Sequence, residues 1–233
     1  MVTIDGAYIC SAMAANNITP FIDAGGLSLL KGSQVYLTFL KEAHREILRP
    51  LARDERIWEF TKTLMVTDTY DQQFDKYFNE AMATAAGGGQ TFVIVGVGGT
   101  AGGQRGQDAC VDRIIGMTRV YDVDWKVRKA TIGHTWYIPA IWGKVHNKEC
   151  KLLLLQYIFG RLGFVRVEFK VASQNLRSQK AVAKIGGVKE AVLRKFTLRN
   201  DGTPSDTVIF SILDEEWPEK KQQLLRLVVE TQG

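Results

Sequence analysis

The chain has little cysteine and histidine, and it has no long apolar run. Its three cysteines, Cys10, Cys110 and Cys150, are widely spaced and form neither a CxxC pair nor a cluster with histidine. This pattern argues against both a disulfide framework and a zinc site. No apolar stretch approaches the roughly 18 residues that a membrane span requires. Residues 1–33 lack the basic start of a secretory signal, so we expect a cytoplasmic protein without a metal ion.

The chain also lacks any run of five or six basic residues, although its net charge is +5. A charge this mild gives no reason to expect direct binding to nucleic acid. It does suit a polyanionic small ligand, because a modestly positive cleft steers anions toward itself. The composition, 45% hydrophobic and 24% charged, is that of an ordinary globular protein.

The 233 residues are enough for one domain with a sizeable core. Residues 1–33 are small, rich in glycine and alanine and without a sustained period, so we interpret them as an N-terminal extension that is partly helical around 8–15. Residues 34–233 are predicted to form a single α+β domain. The predicted strands are 35–40, 91–95, 111–121, 129–137, 165–171, 191–199 and 207–213, with a turn at 122–124. The predicted helices are 42–53, 54–63, 71–85, 147–162, 178–184 and 215–231.

Two of these strands, 129–137 and 165–171, are expected to be parallel neighbours because one helix crosses over between them. Pro139 ends the first strand and cannot donate to a ladder, so we expect the sheet to open there. An amide-bearing ligand could pair with the backbone groups that such an opening exposes. Strict alternation would place one set of side chains on a single face of the strand, namely Ile132, His134, Trp136 and Ile138.

A glycine-containing loop, 142–147, precedes the helix that we predict to start at Lys148. The free N–H groups and positive dipole end of such a helix favour a phosphate, and Lys144 adds charge. The alternative is an ordinary turn, with Asn147 as the helix N-cap and Glu149 in the first turn.

Asn175 and Ser178 stand where the strand at 165–171 leads into a short helix. They could simply cap that helix. They could instead point the Asn175 amide at a ligand amide and the Ser178 hydroxyl at a sulfur atom, where a donor would stabilise a leaving thiolate. A ligand with a phosphate end, an amide-bearing arm and a sulfur is coenzyme A. His134, on the preceding strand, is either a packed core histidine or a catalyst.

A competing motif follows the strand at 91–95. Residues 96–101 match GxGxxA, a dinucleotide-binding pattern that would indicate a nicotinamide enzyme. That chemistry needs a helix to start at once, and the following sequence, Gly102-Gly103-Gln104-Arg105-Gly106, cannot start a stable one. We therefore interpret this segment as a hairpin loop between two strands.

The chain resembles the GNAT acetyltransferase superfamily over about residues 34–225, in the branch similar to ribosomal-protein N-terminal acetyltransferases of the RimJ/RimL type. The sequence motifs that carry the resemblance are Ile132-Gly133-x-Thr135-Trp136-Tyr137-x-Pro139, Asn147-x-Glu149-x-Lys151-Leu152-Leu153-Leu154, Leu162-Gly163-x-x-Arg166-Val167-Glu168-x-Lys170, Asn175-x-x-Ser178, Glu190-x-Val192-Leu193-Arg194 and Asp206-Thr207-Val208-x-Phe210-Ser211-Ile212-Leu213-x-x-Glu216-Trp217-Pro218.

The resemblance implies a mixed, mostly antiparallel sheet splayed into a V with flanking helices, and acetyl-CoA as co-substrate in the opening. Among the expected catalytic residues, Ser178 and Tyr137 follow from this resemblance, and His134 is added as a candidate base. The implied CoA-binding residues are Trp136, Tyr137, Ile138, Trp142, Gly143, Lys144, Val145, His146, Asn147, Lys148, Asn175 and Ser178. The chain departs from the family pattern on the short helix, where Ala183 replaces a tyrosine that serves many members as general acid.

The expected reaction is direct attack of a neutral primary amine, from a protein N-terminus or a small molecule, on the thioester carbonyl. A backbone N–H of residues 136–138 would hold the oxyanion. No base is convincing; His134 comes first, with Glu149 and Asp124 behind it. The alternatives are a catalytically idle CoA-binding regulatory module and, less so, a nucleic-acid module. A monomer and a homodimer are both compatible with the sequence.

Overall fold

The computed structural model describes residues 29–61, 63, 65, 67–98, 112–199 and 201–231. In these residues eight strands form one sheet in the order β1-β2-β3-β4-β5-β6-β8-β7. The strands are β1 Leu29–Lys31, β2 Val35–Phe39, β3 Gln90–Gly96, β4 Arg113–Asp124, β5 Lys129–Tyr137, β6 Arg166–Ala172, β7 Val188–Leu198 and β8 Pro204–Leu213. The helices are α1 Arg45–Leu51, α2 Tyr70–Ala83, α3 His146–Gly160, α4 Leu176–Lys184 and α5 Trp217–Glu230.

All neighbouring strands are antiparallel except β5 and β6, which are parallel as predicted. The predicted α+β fold with a mostly antiparallel sheet is confirmed. Strand β1 lies at the sheet edge and pairs with β2, so residues 29–31 belong to the sheet. The predicted helix around 8–15 lies outside the described residues, as do residues 99–101 of the dinucleotide-like segment. No helix in the described part of the chain is long and apolar enough to cross a bilayer.

Strands β5 and β6 are paired only at their beginnings. The last pair that joins them is Thr131 with Glu168, after which β5 continues to Tyr137 and β6 to Ala172 without further pairing to each other. The predicted opening at Pro139 is therefore misplaced, because the strands separate directly after Thr131. The strands separate early because β5 itself is distorted before it reaches the proline.

A β-bulge in β5 accounts for this distortion. Met117 of β4 pairs with Trp136 and Arg119 pairs with Gly133, so the single residue between them faces two residues of β5. One of these two, His134, has a φ of 47°, in the left-handed region. Bulges bend a strand and re-aim its side chains, and they are common beside active sites.

The bulge also breaks the predicted alternation. Ile132 packs in the cluster that α3 and α5 cover, whereas Trp136 packs in the cluster that α1 and α2 cover. The prediction that both lie on one face is wrong, because one extra residue reverses every side chain beyond it. The two clusters are the two cores of the domain, one on each face of the sheet.

Several predicted boundaries also change. The helix predicted at 54–63 is a single 3₁₀ turn, Glu55–Ile57, where the Asp54 side chain accepts from the Arg56 N–H at 3.1 Å. The turn predicted at 122–124 lies within β4, and the chain turns over residues 125–128. Helix α3 begins at His146 without a side-chain cap, so Asn147 is not its N-cap.

Candidate active site

The gap between β5 and β6 widens into a cleft of about 1050 Å³. Strand β5 forms one wall, β6 and α4 form the other, and the first turns of α3 close one end. The cleft brings together eight of the residues predicted for the site, namely His134, Trp136, Tyr137, Trp142, Gly143, Asn147, Asn175 and Ser178. The five other predicted residues, Ile138, Lys144, Val145, His146 and Lys148, are outside its lining.

The open edge of β5 presents one backbone donor to the cleft. The N–H of Ile138 donates to the Ile115 carbonyl on β4 at 2.9 Å. Residues of an antiparallel ladder alternate in direction, so the N–H of Tyr137 points the other way, toward the gap. The Tyr137 carbonyl is held by the indole Nε1 of Trp142 at 2.9 Å. Of the three residues predicted to supply an oxyanion donor, the geometry favours Tyr137.

The Tyr137 side chain itself is buried on the α3 side of the sheet. Its hydroxyl lies beside the Cys150 thiol, and burial raises the pKa of both groups. Tyr137 can therefore contact a ligand in the cleft only through its backbone groups. Cys150 is buried behind it and does not line the cleft.

Asn175 and Ser178 meet at the start of α4, on the wall opposite β5. The Asn175 Oδ1 accepts from the Ser178 N–H at 2.9 Å, which confirms the capping alternative for that oxygen. The Asn175 amide nitrogen makes no hydrogen bond within the described residues, and the Ser178 side chain is half-buried against the cleft. Capping and ligand binding are thus compatible.

The start of α3 has the character of an anion site. Its N-cap, Val145, supplies no side-chain acceptor, so the first N–H groups of the helix are uncapped. Gly143 has a φ of 79°, which favours glycine and lets the loop turn into the helix. Partial burial lowers the pKa of Lys148, and neighbouring Lys184 lowers it further. Clustered positive charge beside uncapped N–H groups favours a phosphate.

Arg177 is a cleft residue to which the sequence assigned no role. Its guanidinium stacks over the Trp142 ring at 4.0 Å, and the Arg56 guanidinium lies 5.8 Å from the same ring. Its place in the sequence is the signal, since Arg177 lies between the two candidate ligand-binding residues Asn175 and Ser178. Its position beside the loop adds positive charge to this end of the cleft.

His134 is exposed at the bulge, so the packed-core alternative is wrong. Its ring contacts that of Tyr121 at 5.0 Å between centroids, on the α2 side of the sheet. It lines both the main cleft and a smaller cavity of about 450 Å³, to which Glu80 and Arg119 also contribute. His134 is therefore accessible to a substrate from the α2 side.

Glu149 is wrong as a candidate base. Its carboxylate is 4% exposed and accepts four hydrogen bonds from the turn between β1 and β2. The donors are the Ser33 N–H at 2.9 Å, the Ser33 hydroxyl at 2.7 Å, the Gln34 N–H at 2.7 Å and the Val35 N–H at 2.8 Å. Asp124 accepts from the Val127 N–H at 2.9 Å and does not line the cleft either.

Lys151 lines the cleft and was missed as a functional candidate. It is 5% exposed, and its Nζ donates to the Thr135 hydroxyl at 2.7 Å and to the Thr118 hydroxyl at 3.4 Å. Burial lowers the pKa of Lys151 to about 8. The signal was its position directly before the apolar residues 152–155, in a helix that is buried on nearly every side.

The described residues hold no group of three or more His, Cys, Asp or Glu side chains that could bind a metal ion.

Comparison with known proteins places this fold and cleft in a family. Residues 34–188 match the family model for the acetyltransferase (GNAT) domain. The chain is 34% identical over 100 residues to an uncharacterised N-acetyltransferase, YoaA, of Bacillus subtilis (strain 168). That match covers 43% of this chain and 55% of the relative, so the chain spans about half the length of this curated protein.

Two solved structures show the same fold at low identity. A GCN5-related N-acetyltransferase from Brucella melitensis is 22% identical, with a TM-score of 0.70 over 86% of this chain and 85% of that one. Mycobacterium smegmatis RimJ in complex with CoA-disulfide is 19% identical, with a TM-score of 0.65 over 86% of this chain and 92% of that one. The chain belongs to the GNAT acetyltransferase family, as the sequence resemblance indicated.

Proposed function

We propose that this protein is an acetyl-CoA-dependent N-acetyltransferase that moves an acetyl group to a primary amine by direct attack. One observation carries the proposal. Strand β5 has an unpaired edge that faces a cleft, and the N–H of Tyr137 lies on that edge. An unpaired strand edge binds an amide-bearing arm through backbone hydrogen bonds, as in strand addition.

The residues in the cleft and at its α3 end suit coenzyme A. The uncapped start of α3, with Lys148 and Lys184 near it, suits the diphosphate. The open edge of β5 suits the amide-bearing arm, and the free amide nitrogen of Asn175 can donate to it from the other wall. A structure of the same fold, Mycobacterium smegmatis RimJ, is a complex with CoA-disulfide, which supports this proposal.

Different cleft residues act on different atoms of the reacting groups. A neutral amine attacks the thioester carbonyl, and the Tyr137 N–H stabilises the oxyanion that forms. The Ser178 hydroxyl stabilises the departing thiolate as a hydrogen-bond donor. Direct attack is favoured over a covalent acyl-enzyme, because the one cysteine among the described residues, Cys150, is buried outside the cleft. Most of the rate enhancement would come from positioning and electrostatics.

The acceptor belongs, in this proposal, to the class of protein N-terminal amines, as in the RimJ/RimL-type branch, or to small primary amines. An α-amino group, with a pKa of about 7.7–8.0, is partly neutral near physiological pH, whereas a lysine side chain at about 10.4 is almost wholly charged. An α-amine therefore needs less assistance from a base than a lysine does.

Release of free thiol from acetyl-CoA, measured over a panel of small amines and peptides with free N-termini, tests the function. We expect at least one amine to give turnover that depends on both substrates. Binding of acetyl-CoA without thiol release from any acceptor would overturn the proposal and favour a catalytically idle CoA-binding module.

A further inference from the structure

The proposed reaction needs a group that takes the proton from the attacking amine. Glu149 is held by four donors away from the cleft, and Asp124 does not line it. His134 lines it as well, but as an exposed ring on the α2 side of the sheet. Lys151 is different, because it lines the cleft and forms no ion pair with any carboxylate in the described residues. A buried ammonium without a counterion is costly, so proteins rarely keep one without a function.

Thr135 connects Lys151 to the cleft. Thr135 is half-buried and lines the cleft, and its hydroxyl contacts the Lys151 Nζ at 2.7 Å and the Thr118 hydroxyl at 2.8 Å. Thr135 belongs to the β-bulge, two residues before Tyr137. The extra residue of the bulge turns Thr135 toward α3, and so brings its hydroxyl to the amine.

We propose that Thr135 and Lys151 form a proton relay, in which Thr135 takes a proton from the acceptor nitrogen and passes its own hydroxyl proton to the neutral amine of Lys151. The inference rests on the proposed acetyl transfer. As the new C–N bond forms and the C–S bond breaks, CoA leaves as a thiolate. Lys151 then returns its proton through water in the cleft, and the thiolate is protonated to the free thiol.

The surroundings of Lys151 favour its neutral form. Burial lowers the pKa of Lys151 to about 8, so a useful fraction is neutral near physiological pH. On the same helix Glu149 faces the β1–β2 turn, and Cys150 is kept neutral by a pKa that burial raises. Strand β5 contributes the hydroxyl of Tyr137, which burial also keeps neutral. On β6, Lys170 lines the cleft but is paired with Asp122 at 2.7 Å.

A purely structural role is the competing explanation, in which the Lys151 ammonium only anchors the bulge through the two threonines. Arginine separates the two, because its guanidinium donates hydrogen bonds but is never neutral in proteins. A structural anchor tolerates Lys151→Arg better than Lys151→Met, whereas a relay fails in both.

The pH dependence of kcat/KM tests the relay. The acceptor should be an amine whose own pKa lies well below neutrality, so that it stays neutral over the whole range. The wild type is then expected to lose activity as the pH falls below about 8, following protonation of Lys151. Lys151→Met, Lys151→Arg and Thr135→Val are expected to lose about 10²-fold in kcat/KM, together with that acid limb. Thr135→Ser keeps the hydroxyl and is expected to keep the limb.

Calorimetric titration with acetyl-CoA identifies variants that remain folded and bind the co-substrate. If Lys151→Met does not fold, the two Thr135 variants carry the comparison, since valine matches threonine in shape. An acid limb that persists in Lys151→Arg or Thr135→Val would overturn the relay and leave the acetyl transfer intact. Absence of thiol release by the wild type with every acceptor would overturn the proposed function, and the relay with it.

Discussion

Helix α3 has a buried ionisable residue on each of two faces, Glu149 and Lys151, and the two differ in the number of their hydrogen-bond partners. Glu149 has four hydrogen-bond donors around its carboxylate, and these fix the turn between β1 and β2 to the helix. Lys151, two residues further on, faces the cleft and has only two threonine hydroxyls. A buried charge whose hydrogen bonds are all satisfied holds structure together, and one left without a counterion stays available for chemistry.

The largest effect on stability is expected for Glu149→Ala. Removing the carboxylate leaves buried N–H groups without acceptors, so the free energy of unfolding should fall by about 3–5 kcal/mol. Glu46→Ala is the matched control, because that side chain is 73% exposed on α1 and its loss should leave the stability nearly unchanged. Urea unfolding measures both. Equal effects would contradict the role assigned to Glu149.

Lys151→Met is expected to raise the free energy of unfolding, whereas Glu149→Ala lowers it. The folded pKa of about 8 lies below the ordinary value of 10.5, so below about pH 8 the folded protein must bury a charge. Removing that charge should stabilise the fold by up to about 3 kcal/mol at neutral pH. As the pH rises from about 8 to 10.5, the folded protein loses the proton first, its stability increases, and the advantage of methionine disappears.

Urea unfolding of the wild type and Lys151→Met at several pH values measures that difference. A methionine variant less stable than the wild type at neutral pH would show that Lys151 has a structural role like that of Glu149. A methionine variant that is more stable and less active than the wild type would show that Lys151 serves catalysis, whereas Glu149 serves stability.

Gly32→Ala probes the Glu149 side of the helix more gently. A Cβ at Gly32 would lie 2.6 Å from the carboxyl carbon of Glu149, which is held by its four donors. We expect a loss of about 1–3 kcal/mol, as for other overpacked sites. Combining Gly32→Ala with Glu149→Ala should cost less than the sum of the two, because the clash is then gone. Full additivity would argue against the contact.

The smallest effect is expected for Asn175→Ala on the far wall of the cleft. Loss of the cap on α4 should cost about 1 kcal/mol. If the Asn175 amide also holds coenzyme A, KM for acetyl-CoA should rise as well, although most of the variant remains folded. Asn175→Asp keeps the capping oxygen and loses the amide donor, so it should retain stability yet still raise KM. An unchanged KM in both variants would limit Asn175 to capping.

The sequence predicts the framework of the cleft better than its chemistry. Local periodicity and the proline after the strand were enough to find β5 with its observed bounds, and the crossover rule gave its parallel pairing with β6. The bulge at His134 could not be predicted, because it is a mismatch between two strands and neither strand shows it alone. The four donors to Glu149 lie more than 100 residues away in the chain.

The central claim is that acetyl-CoA binds in the gap between β5 and β6. The most direct measurement is calorimetric titration of acetyl-CoA into the wild type, into Ala172→Trp, which places a large ring at the lining of the cleft, and into Val229→Trp, at a position 68% exposed on α5. We predict one-site binding to the wild type and Val229→Trp and none to Ala172→Trp. Absence of binding to the wild type, or equal affinity of all three proteins, would contradict the account.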